Sequence, residues 1–238
     1  MLTLFASQAC AQVTPLENVV EDLYQDGKAL VISPLKWQKR DRIIALSFLG
    51  ATALALTTDQ KTQNFFARNR TDFSNRTADF FRPIGDKLPF WALGGFYASG
   101  LVLKDQKAKE TAYLGLKSIF FSQTITRGLK YGFGRARPFA EKGAYYFKPF
   151  DFSPPDNSLS LPSGHATTAF ALASVVGHQY PQWYVKYPVY LLAAGVAWSR
   201  CNDNVHFLSD VVIGGGIGYF IGEKIVYRHQ EQARSRNP

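Results

Sequence analysis

Three polar clusters interrupt the apolar C-terminal half of this 238-residue chain, and they read KYGFGRARPF, LPSGHATT and SRCNDNVHFLSD. Their charged and reactive side chains include Lys130, Arg135, Arg137, Ser163, His165, Arg200, His206 and Asp210. An apolar run does not need an aspartate, and a loop does not need this set of cations. The clusters therefore indicate one polar site that is assembled from three separate segments.

Three of the cations could converge on a single polyanion. Arginine offers a planar fork that binds two phosphate oxygens at once, and lysine adds a compact charge. In the second cluster, Ser163 is a candidate N-cap, and backbone N–H groups at the start of a helix favour an anion. We therefore predict a phosphate-binding site in which Lys130, Arg137 and Arg200 act together with Ser163 and Gly164.

Two histidines and one carboxylate complete the set. His206 and Asp210 are four residues apart, and on a helix this spacing would place both side chains on one face. A carboxylate beside an imidazole fixes its tautomer and stabilises its cation, which makes the histidine a good nucleophile. His165 is then available to protonate a leaving alkoxide near neutral pH.

Each cluster also has an ordinary explanation when it is considered alone. PSGH is a common helix N-cap, and a histidine four residues before an aspartate is often a surface pair or a pair of metal ligands. A metal site formed by His165, His206 and Asp210 is disfavoured because the neighbouring cations would repel a metal ion. We therefore expect no metal and no other cofactor.

Taken in order, the clusters read K-x6-R-P, P-S-G-H and S-R-x5-H-x3-D, separated by 23 and 33 residues. This arrangement resembles the three-part signature of the type 2 phosphatidic acid phosphatase and vanadium haloperoxidase superfamily. The strong resemblance covers residues 111–222, whereas the N-terminal third is similar only as a set of apolar helices.

The resemblance implies a metal-independent phosphatase that acts on phosphomonoesters or diphosphates of lipids. By similarity, His206 forms a phosphohistidine, Asp210 orients it, and His165 protonates the leaving group. The substrate would be of the phosphatidic acid, phosphatidylglycerol phosphate or polyprenyl diphosphate class. A soluble periplasmic acid phosphatase of broad specificity is the alternative, and a vanadate-dependent haloperoxidase is a more distant one.

Six apolar runs must position these residues, and their Ala, Leu and Gly content favours helices over strands. They cover residues 43–58, 88–103, 111–126, 166–177, 187–199 and 207–222. We predict an all-α fold, a helical bundle with about six core helices that is embedded in a membrane. Lys130 should close the third of these helices and Arg200 should end the fifth, while residues 59–87 should connect the first two outside the membrane.

The chain divides into four predicted segments. Residues 1–11 end in Ala-Cys-Ala and are expected to be a signal-peptide remnant, because small residues of this kind precede cleavage sites. Residues 12–42 form an amphipathic segment, in which VVEDLYQDGKALV is predicted to be a helix. The phosphatase helical domain spans 43–228, and a polar tail spans 229–238.

Charge and hydropathy limit the choice of partner and location. The net charge is +9, which suits an anionic membrane surface or a phosphorylated substrate. No nucleic-acid recognition motif is visible, so we expect no nucleic acid, and no obligate protein partner is evident. The apolar runs of 12 to 16 residues are shorter than the roughly 20 residues of a membrane span, unless their ends extend.

The expected partners are membrane lipids and a lipid phosphate or diphosphate substrate. We expect a bacterial-type cell envelope, with integral membrane attachment and an extracytoplasmic active site. A periplasmic soluble protein released by signal cleavage is the alternative location.

Overall fold

The structure is a computed structural model that describes residues 19–151 and 156–236. It contains eight α-helices in these ranges and no β-strand there, so the all-α prediction is confirmed. The helices are α1 (Val19–Ile32), α2 (Lys39–Asn69), α3 (Asp72–Phe81), α4 (Leu88–Val102), α5 (Gln106–Phe133), α6 (Gly164–Gln179), α7 (Trp183–Asn202) and α8 (Leu208–Arg236). The predicted signal-peptide remnant at residues 1–11 lies outside the described residues.

The six predicted core helices correspond to α2 and to α4 through α8, and five of them extend well beyond their apolar runs. Helix α2 continues from the apolar run through polar residues to Asn69, and α8 continues to Arg236, past the predicted start of the polar tail. The helix predicted from VVEDLYQDGKALV is present as α1.

Helix α3 lies in the segment predicted to connect the first two core helices, where no helix was predicted. Thr71 caps the helix, because its hydroxyl accepts a hydrogen bond from the Ser74 N–H at 3.1 Å. The sequence DFSNRTADFF is amphipathic and too short to form a long apolar run, so hydropathy alone does not reveal it.

Helix α6 lies in the centre of the bundle and packs against α5, α7 and α8. Three glycines at intervals of four residues let α8 approach the α6 backbone closely. A Cβ atom at Gly214, Gly218 or Gly222 would lie within 2.8 Å of a backbone oxygen of this region. The close approach allows the Ser163 N–H to donate to the carbonyl oxygen of Asp210 at 2.9 Å, which joins the starts of the two helices.

Large apolar side chains remain exposed on the outer helices of the bundle, among them Leu46, Leu54, Trp91, Val102, Tyr184 and Leu191. Within the described residues, α2 is the helix that is both long and apolar enough to cross a membrane, and 17% of its most apolar window is buried. The apolar outer surface is therefore larger than the packing of the bundle requires.

Candidate active site

The site lies where the ends of four helices meet. Lys130 is in the last turn of α5, and Arg200 is in the last turn of α7, close to the predicted helix ends. Gly134 ends α5 in the left-handed region with a φ of 57°, where a Cβ atom would clash with the Lys148 carbonyl. This turn directs the following segment, which carries Arg137, back toward α8.

The predicted phosphate-binding residues lie close to one another; Ser163 and Arg200 are buried, and Lys130, Arg137 and Gly164 are partly buried. The Lys130 ammonium group donates to the carbonyl oxygen of Leu159, and burial together with the charge of Arg137 lowers its pKa to about 8. The Arg200 side chain is 9% exposed, and its Nη1 lies 3.1 Å from Asp203. These cations repel one another, so an anion between them would be stabilised.

Buried donors in the site that have no hydrogen-bond partner among the described residues include the Ser163 hydroxyl and the Nε of Arg200. Buried polar atoms are rarely left in this state, because the loss of hydration is not offset. Together with Lys130, they provide hydrogen-bonding capacity for an oxyanion.

The predicted capping role of the Ser163 hydroxyl is wrong. Ser163 occupies the N-cap position of α6, but its side chain makes no capping hydrogen bond. Its backbone is fixed instead by the bond to the Asp210 carbonyl and by the Thr167 N–H, which donates to the Ser163 carbonyl at 3.0 Å. The hydroxyl is therefore available to a ligand.

His206 and Asp210 form a pair, but the prediction that both lie on one helix is wrong. Helix α8 begins at Leu208, and the His206 N–H points toward the Arg200 carbonyl at 3.3 Å. The Asp210 carboxylate accepts a hydrogen bond from the Phe207 N–H at 2.8 Å, which caps the start of α8 and excludes His206 from it. Nδ1 of His206 still lies 3.4 Å from Oδ2 of Asp210.

The environments of the two histidines favour the neutral imidazole. Burial lowers the pKa of His206 to about 3, although the Asp210 carboxylate acts in the opposite direction. Burial and then the charge of Arg200 lower the pKa of His165 to about 4. Both rings are therefore neutral at pH 7, and the proton on Nδ1 of His206 is assigned from its carboxylate neighbour.

The carboxylate of Asp210 has further partners that sequence reasoning missed. Oδ2 accepts from the Ser160 hydroxyl at 2.5 Å, and Oδ1 accepts from Nη1 of Arg135 at 2.7 Å. Arg135 in turn contacts Asp59 on α2. Arg135 belongs to the first polar cluster, but its sequence position gave it no role. The only sequence signal for Asp59 is that this carboxylate directly follows an apolar run.

A polar cavity of about 440 Å³ opens beside Arg200. Its walls come from the α2–α3 connection, from α3, and from the segment between α7 and α8, and they consist of Arg70, Asn75, Asp79, Arg82, Arg200, Asp203 and Val205. Arg200 therefore lies between the histidines and a cavity whose lining is almost entirely charged or hydrogen-bonding.

Cations around two neutral histidines, one of them backed by a carboxylate, can bind a phosphoryl group and transfer it to nitrogen. The chain belongs to the PAP2 superfamily, whose sequence profile matches residues 112–234, more than half of the chain. The resemblance seen in the three motifs is thereby confirmed. All of the predicted site residues lie inside this match.

Known proteins resemble this chain over different lengths. Lipid A 1-phosphatase of Porphyromonas gingivalis is 34% identical over 96 residues, which cover 40% of this chain and 18% of that protein. The chain thus corresponds to less than a fifth of that relative.

Two crystal structures share the fold. Aquifex aeolicus LpxE has a TM-score of 0.56 at 21% identity, covering 71% of this chain and 94% of that one. A transmembrane PAP2-type phosphatidylglycerolphosphate phosphatase from Bacillus subtilis has a TM-score of 0.61 at 20% identity, covering 82% and 98%. At these identities, the likeness establishes a common helical fold.

Proposed function

We propose that this protein is a metal-independent phosphatase of lipid phosphates or diphosphates that works through a phosphohistidine. The observation that carries the proposal is the juxtaposition of two histidines with three cations, one histidine being backed by a buried carboxylate. Family membership supports the reaction class, and the names of the relatives support a lipid substrate.

In the first step, Nε2 of His206 attacks phosphorus and forms a P–N bond while the P–O bond to the lipid breaks. The Nδ1–H of His206 faces Asp210, so the lone pair of Nε2 is available and the positive charge on the ring is stabilised. Lys130, Arg137 and Arg200 neutralise the equatorial oxygens, and the Ser163 hydroxyl and the Gly164 N–H donate to them.

His165 donates a proton to the departing oxygen in this step. Its pKa of about 4 is too low for a general acid at pH 7. The positive charge of Arg200 contributes to that low value, and the negative charge of a phosphoryl dianion bound beside His165 raises the pKa in the same electrostatic way. In the second step, His165 takes a proton from water as the water attacks phosphorus. The P–N bond breaks, which releases inorganic phosphate and returns His206 to its neutral form.

An apolar groove supports a lipid rather than a soluble substrate. It has a volume of about 780 Å³, lies between α1, α4 and α5, and is lined by side chains such as Leu116 and Phe120. Gln123 lines one part of this groove and donates from its amide to the Gly164 carbonyl at 2.7 Å. A phosphate bound at Gly164 would thus place an attached hydrocarbon chain next to an apolar surface.

We further propose integral attachment to a bacterial-type cell envelope, with the site at the extracytoplasmic surface. The exposed apolar side chains and the low burial of α2 support the membrane attachment. Extraction of the native membranes tests it, because an integral protein should require detergent. Release by a high-salt wash would favour the soluble periplasmic alternative.

The reaction is tested with purified protein and a panel of phosphatidic acid, phosphatidylglycerol phosphate, polyprenyl diphosphate and glycerol phosphate. We expect preference for the lipids and an acid-labile, base-stable phosphoprotein after rapid quenching, which His206→Ala should abolish together with phosphate release. A His206→Ala variant that keeps wild-type turnover would refute the proposed nucleophile. Equal turnover of glycerol phosphate would refute the lipid specificity.

A further inference from the structure

Arg135 links two buried carboxylates behind the proposed nucleophile. The side chains of Arg135, Asp59 and Asp210 are all 0% exposed. Nη1 of Arg135 donates to Oδ1 of Asp210 at 2.7 Å, and Nη2 donates to Oδ2 of Asp59 at 2.7 Å. The guanidinium group is held in place by the Ala144 carbonyl, 3.0 Å from Nε, and by the Phe207 ring, whose centroid is 4.2 Å away.

The arrangement divides the two oxygens of Asp210 between different tasks. Oδ1 receives the guanidinium group, while Oδ2 faces Nδ1 of His206 and also accepts from Ser160 and from the Phe207 N–H. The rotation of the carboxylate is fixed from both sides, and with it the position of the oxygen that faces His206.

The charges of the network explain why a second carboxylate is present. If Arg135 had Asp210 as its sole counter-ion, the guanidinium charge would offset the negative charge that His206 needs. Asp59 supplies a second negative charge to Arg135, and the pair of carboxylates with one guanidinium retains a net charge of −1. That negative charge is available to the imidazolium that forms when His206 attacks.

Asp59 is itself positioned for this role. Its Oδ2 accepts from the Ser209 hydroxyl at 2.5 Å, and its Oδ1 accepts from the Ser209 N–H at 2.9 Å. Ser209 immediately precedes Asp210, so α2 is attached to the first turn of α8 at the residue beside the catalytic carboxylate.

We propose that Asp59 and Arg135 are positioning residues for the reaction: Arg135 orients Asp210, and Asp59 neutralises Arg135 so that Asp210 holds His206 as the Nδ1–H tautomer. This inference rests on the proposed function, because it assigns a role to residues that act through the proposed nucleophile. Asp59 lies outside the three motifs, and Arg135 occupies one of the unspecified positions of the first motif.

Asp59→Asn is the primary test, because it removes a charge and keeps the shape of the side chain. We expect the single-turnover rate, per folded protein, to fall about tenfold, as for groups that share one hydrogen-bond network. Arg135→Lys keeps the charge but loses the fork, and it should lower the rate by a similar factor. Inhibition by inorganic phosphate should change less than about threefold for Asp59→Asn, because the phosphate-binding cations are intact.

Asp26→Asn is a matched control. Asp26 lies on α1, is 3% exposed, and pairs with Arg228 at 2.6 Å, so the substitution removes a comparably buried and paired carboxylate away from the site. We expect it to lower stability as Asp59→Asn does, while the rate per folded protein stays at the wild-type value.

Histidine NMR provides a readout that a purely structural role would not change. The chain has four histidines, so ¹⁵N-histidine labelling gives a small set of ring signals, and the signals of His206 are assigned by their loss in His206→Asn. We expect the Nδ1–H tautomer in the wild type and in Asp26→Asn, and a mixture with the Nε2–H tautomer in Asp59→Asn.

The positioning role is overturned if Asp59→Asn keeps both the tautomer and the wild-type rate, or if Asp26→Asn lowers the rate equally. Failure of the proposed function looks different, because His206→Ala would then retain activity. An inactive His206→Ala beside a normal Asp59→Asn would refute the positioning role alone.

Discussion

Two buried ion-pair networks join distant parts of this chain, and they differ in what their charges face. The active-site network consists of Asp59, Arg135, Asp210 and His206. The α1 network consists of Asp22, Asp26, Lys117 and Arg228, and it attaches α1 to α5 and α8. In both networks, carboxylates lie within hydrogen-bonding distance of cationic side chains; Lys117 and Arg135 are almost fully buried, whereas Arg228 is 31% exposed.

The α1 network balances its own charges, since two carboxylates meet two cations. In the active-site network, two carboxylates meet one guanidinium group, and the uncompensated charge faces a histidine. Near that histidine lie three further cations, and buried donors there, among them the Ser163 hydroxyl, lack a hydrogen-bond partner among the described residues. The comparison teaches that buried charge alone does not identify a site; unbalanced charge beside unused hydrogen-bond donors does.

The largest expected difference between the networks concerns their carboxylates. Asp210→Asn should lower turnover per folded protein by about 10⁴-fold, because an amide neither fixes the Nδ1–H tautomer nor stabilises the imidazolium. Asp26→Asn should leave it unchanged. Phosphate release, normalised to folded protein from a thermal melt, measures both, and equal losses in the two variants would remove the distinction between the networks.

The arginines of the two regions should differ less. Arg200→Lys should lower kcat/KM by about 100-fold and weaken inhibition by inorganic phosphate, because a lysine cannot bind two phosphoryl oxygens in one plane. Arg228→Lys keeps a cation beside Asp26 and should change neither quantity. If Arg200→Lys raises KM alone with kcat preserved, Arg200 contributes to binding but not to the transition state.

The pH dependence of stability should also separate the networks. The pKa values of His165 and His206 are lowered from 6.5 to about 4 and about 3. Below pH 6.5 the unfolded chain therefore binds protons that the folded protein does not. The free energy of unfolding should decrease as pH falls, by about 1.4 kcal/mol per pH unit for each histidine, down to the respective folded pKa.

The α1 network should respond only at lower pH. Burial acts to raise the pKa of Asp22, but hydrogen bonds from Lys117 and Tyr113 outweigh it and hold the pKa below its ordinary value of 3.8. Its stabilisation is complete above pH 3.8 and decreases below it. Denaturant unfolding in detergent at pH 7.0, 5.5 and 4.5 gives the slope of the free energy of unfolding against pH. His206→Asn should reduce this slope. The same slope in that variant would contradict the assignment to His206.

The motifs predicted most of the site because their residues are close in sequence to helix ends. Lys130 and Arg200 follow apolar runs, and His165 precedes one. All three lie in the terminal turns of helices, as these positions predicted. The capping role of the Ser163 hydroxyl and the helical location of His206 were mispredicted. The Ser163 N–H is bonded to the Asp210 carbonyl of another helix, and the Asp210 side chain caps α8 at Phe207, one residue after His206.

The sequence by itself determined the class of fold, the six long helices and the three motifs, because hydrophobic periodicity and local turn residues are encoded in short stretches of chain. Only the tertiary structure decided that Arg135 contacts both Asp59 and Asp210. Arg135 lies 76 positions after Asp59 and 75 positions before Asp210 along the chain. Such pairs form only when distant segments pack together, and burial then requires each charge to find a partner. The aspartate in the apolar run is thus explained twice, locally by His206 and at long range by Arg135.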